Sequence, residues 1–150
     1  MEKAFIITSL CITVYQIFFK KSIFLNFLSF IILLSLITYT TILYKHFPVT
    51  GLFETLSFYA FSMIGLKLII KEPNTKFNLS SDIIIAILLS LCLMTTTKKS
   101  AFTPDALNTI LFPLHVVFSF ISYAMFSLAF CGILSNIDIN KIQNFNYIGF

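Results

Sequence analysis

Residues 114 to 134 read LHVVFSFISYAMFSLAFCGIL, an apolar run with one histidine, His115, at its mouth. A helix rises about 1.5 Å per residue and a bilayer's hydrocarbon core is about 30 Å thick, so the run is long enough to cross. It must do so as a helix, because hydrocarbon offers no partner to an open backbone N–H or C=O. An imidazole in such a place is costly unless something binds it. Ionisable groups in membrane helices are functional candidates by default.

Four more apolar segments precede this one. The sequence predicts a single all-α transmembrane domain over residues 1–150, a polytopic helical bundle with spans at 4–19, 23–44, 52–70, 80–97 and 114–134. The first segment is short, but no small-x-small cleavage site follows it, so it reads as a span and not a signal peptide. Lys45, His46, Phe47 and Pro48 end the second, because proline disfavours helix in the residue before it. Thr50 or Gly51 caps the third, with Glu54 in its first turn, where a carboxylate suits the positive helix end. Lys67 lies near that helix's far end and reads as snorkelling towards the Lys71 boundary. Residues 72–78 read as a polar loop, and the unbroken apolar run of the fourth segment begins at Ile83. Thr103, Pro104 and Asp105 form a helix start, and Ala106, Ile110 and Leu111 continue it as a short surface helix.

Composition narrows the function. The chain is 58% hydrophobic and only 11% charged, with a mean hydropathy of +0.96, so the bilayer is its solvent. The net charge of +4 comes from lysines that punctuate apolar runs instead of lining one polar face. Nucleic-acid binding is therefore excluded. Lysines divide five against four between alternate sides, which favours an outside N-terminus. Cys11, Cys92 and Cys131 sit inside apolar runs as small hydrophobes, and no Cys-x-x-Cys is present for redox exchange or covalent heme attachment. No Ser-His-Asp set, phosphate loop or carboxylate cluster supports hydrolysis or nucleotide chemistry.

Ser119 and Ser122 follow His115 at i+4 and i+7, so the three share a helical face, with Ala129 and Gly132 on or near it. Two readings stand. Small and polar residues on one stripe mark helix packing in membranes, with His115 bonded to a neighbouring helix. Alternatively, His115 is an axial heme ligand, and Ser119, Ser122 and Tyr123 leave room for the macrocycle or pack beside it. His46 reads as a solvated interfacial residue with a weaker claim as a ligand. Glu54 is a helix-dipole residue or a group that holds a cation or orients an imidazole. With two spans between them, His46 and His115 fall on the same membrane face.

Two stretches together resemble the CcsA/ResC branch of the cytochrome c assembly family, the System II heme-handling proteins. His46-Phe47-Pro48-Val49-Thr50-Gly51-Leu52-Phe53-Glu54-Thr55-Leu56-Ser57-Phe58 is similar to the family's HFP-(L/V)-S-N-L-Y-E-S-L-x-F segment. His115-Val116 followed by Ser122-Tyr123-Ala124 is similar to its HV-x5-SYA helix. The resemblance covers about residues 40 to 150. It implies transport of heme b and its external presentation for attachment to the Cys-x-x-Cys-His of apocytochrome c. His115 would be an axial ligand, and the loop before it would face outside a bacterial plasma membrane or a thylakoid-type membrane. A CcsB/ResB-like partner is implied as well, in a synthetase or lyase-type system to which this chain is not itself the catalyst.

The family's Trp-rich external loop has no counterpart here, since the sequence has no Trp. The expectation is an N-terminal fragment or split subunit, with the remaining CcsA-like part supplying the second iron ligand. The alternative class is an accessory or structural subunit of a membrane redox complex, or a transporter, with no cofactor of its own.

Overall fold

The apolar runs fold as helices, each ended where polar residues let backbone groups find other partners. The computed structural model describes residues 2–19, 22–44, 51–70, 74–95 and 111–136. Within them lie α1 (Glu2–Phe18), α2 (Ile23–Tyr44), α3 (Leu52–Ile70), α4 (Thr75–Met94) and α5 (Leu111–Leu134). Among the described residues there is no strand. Helices α2 to α5 are long and apolar enough to cross a membrane, while α1 has 17 residues, about 25 Å of helix. The chain is an all-α helical bundle of an integral membrane protein.

The ends of α2 and α3 fall where the sequence predicts them. Helix α4 does not. It begins at Thr75 and not near residue 80, and it stops at Met94 and not at 97. The cause is an N-cap: the Asn74 side chain accepts from the backbone N–H of Lys76 at 2.9 Å and of Phe77 at 3.3 Å. Most of the stretch expected as a polar loop, through Asn78, is therefore the first turn of the helix. Helix α1 is displaced slightly, to Glu2–Phe18. Helix α5 starts at Leu111 and takes in Pro113, which the first turn tolerates because its N–H is not needed there. His46, the 45–50 link and the surface helix expected after Thr103 lie outside the described residues, save that Leu111 opens α5.

Helices α1 to α4 pack in a ring, each on the next and α4 back onto α1, and α5 lies against α3 and α4. Cross-contacts fix an up-and-down arrangement. Phe5 of α1 meets Tyr39 of α2, and the Gln16 amide donates to the Ser22 carbonyl at 3.0 Å. The Cys92 thiol near the end of α4 donates to the Phe53 carbonyl near the start of α3. At the opposite end the Asn74 amide reaches the Ser135 carbonyl at 3.5 Å. One end of the bundle thus carries the starts of α1, α3 and α5, and the other carries the end of α3 and the start of α4.

Burial in α1 is inverted relative to a water-soluble helix. Its buried stripe is Ile6, Ser9, Thr13 and Gln16, while Ile7, Val14, Tyr15 and Phe18 face outwards. The Ser9 and Ser29 hydroxyls share a hydrogen bond of 2.6 Å across the α1–α2 seam. This is the pattern expected where lipid is the solvent: apolar groups gain nothing by hiding, whereas polar groups must find one another. Between α2 and α3, Phe30 stacks on Phe61 with centroids 4.6 Å apart, lying over Gly65.

Candidate functional site

His115 sits in the first two turns of α5, at the end of the bundle shared with the starts of α1 and α3. Its side chain is exposed. The packed residues of α5 are Ala124, Met125, Leu128, Ala129, Cys131 and Gly132, all in the second half of the helix. At 3.6 residues per turn, Ala124, Leu128 and Cys131 lie roughly half a turn round from His115. Ala129 and Gly132 lie on the His115 side about four to five turns further along, and the exposed imidazole stands before the packed part of the helix. Among the described residues it has no hydrogen-bond partner; the Ser119 hydroxyl donates instead to the His115 backbone carbonyl at 2.8 Å. Among the described residues, no neighbouring helix bonds the imidazole. The small-residue seam exists, at Ala124, Ala129 and Gly132, but it stops short of His115.

The other sequence candidates are dispersed. Ser119 and Ser122 share the His115 side of α5 and are half-buried. The Tyr123 ring is 56% exposed and stands edge-on to Phe120 at 6.2 Å. Its backbone carbonyl accepts from the Tyr59 hydroxyl at 3.4 Å, which also bonds the Ser127 hydroxyl. Glu54 takes a capping role: its Oε2 accepts from the Gly51 N–H at 3.2 Å, closing the first turn of α3 and complementing its dipole. Among the described residues, no three His, Cys, Asp or Glu side chains gather as a metal site.

A second polar centre was not foreseen from the sequence. The Lys67 ammonium of α3 pairs with Asp82 Oδ1 of α4, and both side chains are nearly inaccessible, at 3% and 1%. Lys67 therefore does not snorkel towards Lys71. Side chains on a helix lean towards its N-terminus. Lys67, near the end of α3, leans into the membrane, while Asp82, two turns into antiparallel α4, leans back towards it. On the α5 side, the buried Cys131 thiol lies near Ser80 and within electrostatic reach of Lys67 and Asp82. The pair was legible in principle: Lys67 lies near the end of α3 and Asp82 two turns into antiparallel α4, within helices that the sequence already marks as apolar.

An apolar groove of about 730 Å³ opens sideways between α2, α3 and α5. Phe24, Phe27 and Phe30 form one wall, Phe58, Phe61 and Gly65 the floor, and Val117 and Ile121 the other wall. Val117 and Ile121 are on the far side of α5 from His115, so the groove and the imidazole face different directions.

No family model matches the chain, and no curated protein or solved structure is significantly similar to it.

Proposed function

We propose that this chain is a heme-handling membrane subunit of a System II cytochrome c biogenesis assembly, in which His115 supplies one axial nitrogen to a heme b. The reading is carried by the setting of His115. It is an exposed imidazole at the mouth of a membrane helix, without a hydrogen-bond partner among the described residues. A group so placed is costly unless something outside the bundle binds it, and imidazole nitrogen is a common iron ligand. The two stretches that resemble the CcsA/ResC branch add their order and spacing to this argument.

The resemblance assigns the second iron ligand and the aromatic cradle to a further CcsA-like part, acting with a CcsB/ResB-like partner. The bound group would supply the reactive periphery to which the thiols of apocytochrome c add. This chain's task is to bind and orient it, with Ser119 and Ser122 leaving the approach to His115 uncrowded. The end of the bundle that carries His115 faces the outside of the membrane in this reading.

The test uses the chain co-expressed with its assembly. Replacing His115→Ala should lower heme absorbance and cytochrome c maturation at unchanged protein level, and added imidazole should restore part of both. Normal maturation in the untreated variant would overturn the ligand role. It would favour the second reading, an accessory subunit without a cofactor. One observation supports that reading: Leu111, Leu114 and Phe118 leave the first half of α5 open to a partner helix.

A further inference from the structure

The heme reading makes no use of Lys67 and Asp82, yet they are the most deeply buried ionic contact among the described residues. Two charges inside a membrane span are costly, and hydrocarbon side chains of similar volume would hold α3 to α4 without them. Ionisable pairs in such positions mark proton or ion sites more often than they mark simple packing. Among the described residues, Cys131 is the titratable group of α5 that lies within electrostatic reach of the pair. On α2 the titratable residues are Tyr39 and Tyr44, at the far end of that helix, and on α1 Tyr15 is turned outwards.

We propose that Lys67 and Asp82 form an intramembrane proton-binding site, in which protonation of Asp82 releases Lys67 to the aqueous face at the 71–74 link. One proton enters from water at that end and forms an O–H bond on the Asp82 carboxylate. The ion pair breaks, and no electrons move. The ammonium, now without a counter-charge, leaves the hydrocarbon for the interface. Lys67 is three residues from the end of α3, about 4.5 Å of helix, and its four-carbon stem spans that distance. Loss of the proton restores the carboxylate and draws Lys67 back. The paired and snorkelled arrangements of Lys67 are thus two states of one site. The Asn74–Ser135 contact at the same end joins α4 to the end of α5, so the change bears on that seam.

The proposal is independent of heme, and its test needs none. The full chain is placed in lipid nanodiscs, where both faces are open to reagent. Infrared spectra are taken from alkaline to mildly acidic pH. One protonated-carboxyl band should grow reversibly in the wild type and be absent from Asp82→Asn. In a parallel measurement at one fixed pH, an impermeant amine-acylating reagent is applied and Lys67 is followed by mass spectrometry. Asp82→Asn imitates the protonated acid, so Lys67 should be labelled several-fold more in it than in the wild type. A wild-type carboxyl that stays ionised throughout overturns the proposal. So does a Lys67 equally protected in both proteins, which would make the pair a permanent clamp. If Asp82→Asn does not fold, Lys67→Met takes its place in the infrared series. It should show the protonated band at every pH, and an ionised lone carboxylate there also overturns the idea.

Discussion

Gly65 of α3 lies directly beneath the ring of Phe30 on α2: a Cβ at position 65 would stand 3.1 Å from Phe30 Cε2. The close approach lets Phe30 stack on Phe61 and form one wall of the lateral groove. In a membrane, where helices associate by packing and not by expelling water, such small residues set how near two backbones come.

Gly65→Ala should nevertheless be tolerated. Overpacking costs about 1 kcal/mol or more, but alanine recovers about 1 kcal/mol of helix propensity, and the open groove gives the Phe30 ring room to tilt. Gly65→Leu has no such escape, because its branched side chain must displace the ring altogether. Reversible unfolding in mild detergent should place the alanine variant within about 1 kcal/mol of the wild type. The leucine variant should fall well below it.

Lys67→Met alone should be destabilising, by about 1–3 kcal/mol, because Asp82 then takes up a proton and stays buried as a neutral acid without its Lys67 partner. The double variant Lys67→Met with Asp82→Leu should recover most of that loss. A double-mutant cycle on the same unfolding assay measures the coupling. Additive losses would mean that the two residues act separately.

These two sites show what the sequence made legible. Helices α2 and α3 could be read to the residue because each is an apolar run closed by a lysine or a proline. Helix α4 could not be read that way. Its first two turns, Thr75 to Asp82, are polar in sequence, and apolar-run reasoning assigns polar residues to water. Here they turn inwards instead: Ser81 and Asp82 are buried, and Asp82 meets Lys67. The same inversion hides in α1, whose serine, threonine and glutamine form the buried face. His115 was legible as a residue, but its orientation was not. Sharing a face with Ser119 and Ser122 does not say how much of that face meets another helix; Ala129 and Gly132 on it are buried, whereas His115 is exposed.

Tyr59→Phe should loosen the α3–α5 seam by a modest amount. The Tyr59 hydroxyl bonds the Ser127 hydroxyl and the Tyr123 carbonyl, and it is the side-chain hydrogen bonding that ties α3 to α5 among the described residues. Interhelical hydrogen bonds in membrane bundles average about 0.6 kcal/mol and reach about 1.7 kcal/mol. The loss should fall in that range, and Ser127→Ala should not add to it fully, since both changes remove one contact.

The bundle's alternating order predicts a sidedness that single cysteines can report. In a background with Cys11, Cys92 and Cys131 replaced, cysteines go in at the exposed positions Lys3, Leu52 and Leu111 at one end and Phe19 and Lys76 at the other. An impermeant thiol reagent added to intact cells should label one of these two groups and spare the other, and in the orientation proposed above it labels the first three. Labelling of Lys3→Cys and Phe19→Cys alike would show that α1 lies along the surface and does not cross.

His115→Ala should leave the stability of the chain itself almost unchanged, within about 0.5 kcal/mol, as expected for a surface position away from any cap or contact. The imidazole is exposed and makes no hydrogen bond among the described residues, so its removal opens no cavity and leaves no buried donor unpaired. Alanine is also a good helix former at that position. The packing reading requires the opposite result. If His115 held a neighbouring helix, its loss should match or exceed that of Tyr59→Phe, whose hydrogen bonds are visible. Unfolding of the isolated chain in detergent, with the two variants measured side by side, separates the readings before any heme is added. Should His115→Ala prove the less stable of the two, the imidazole has a structural partner and the axial-ligand assignment loses its basis.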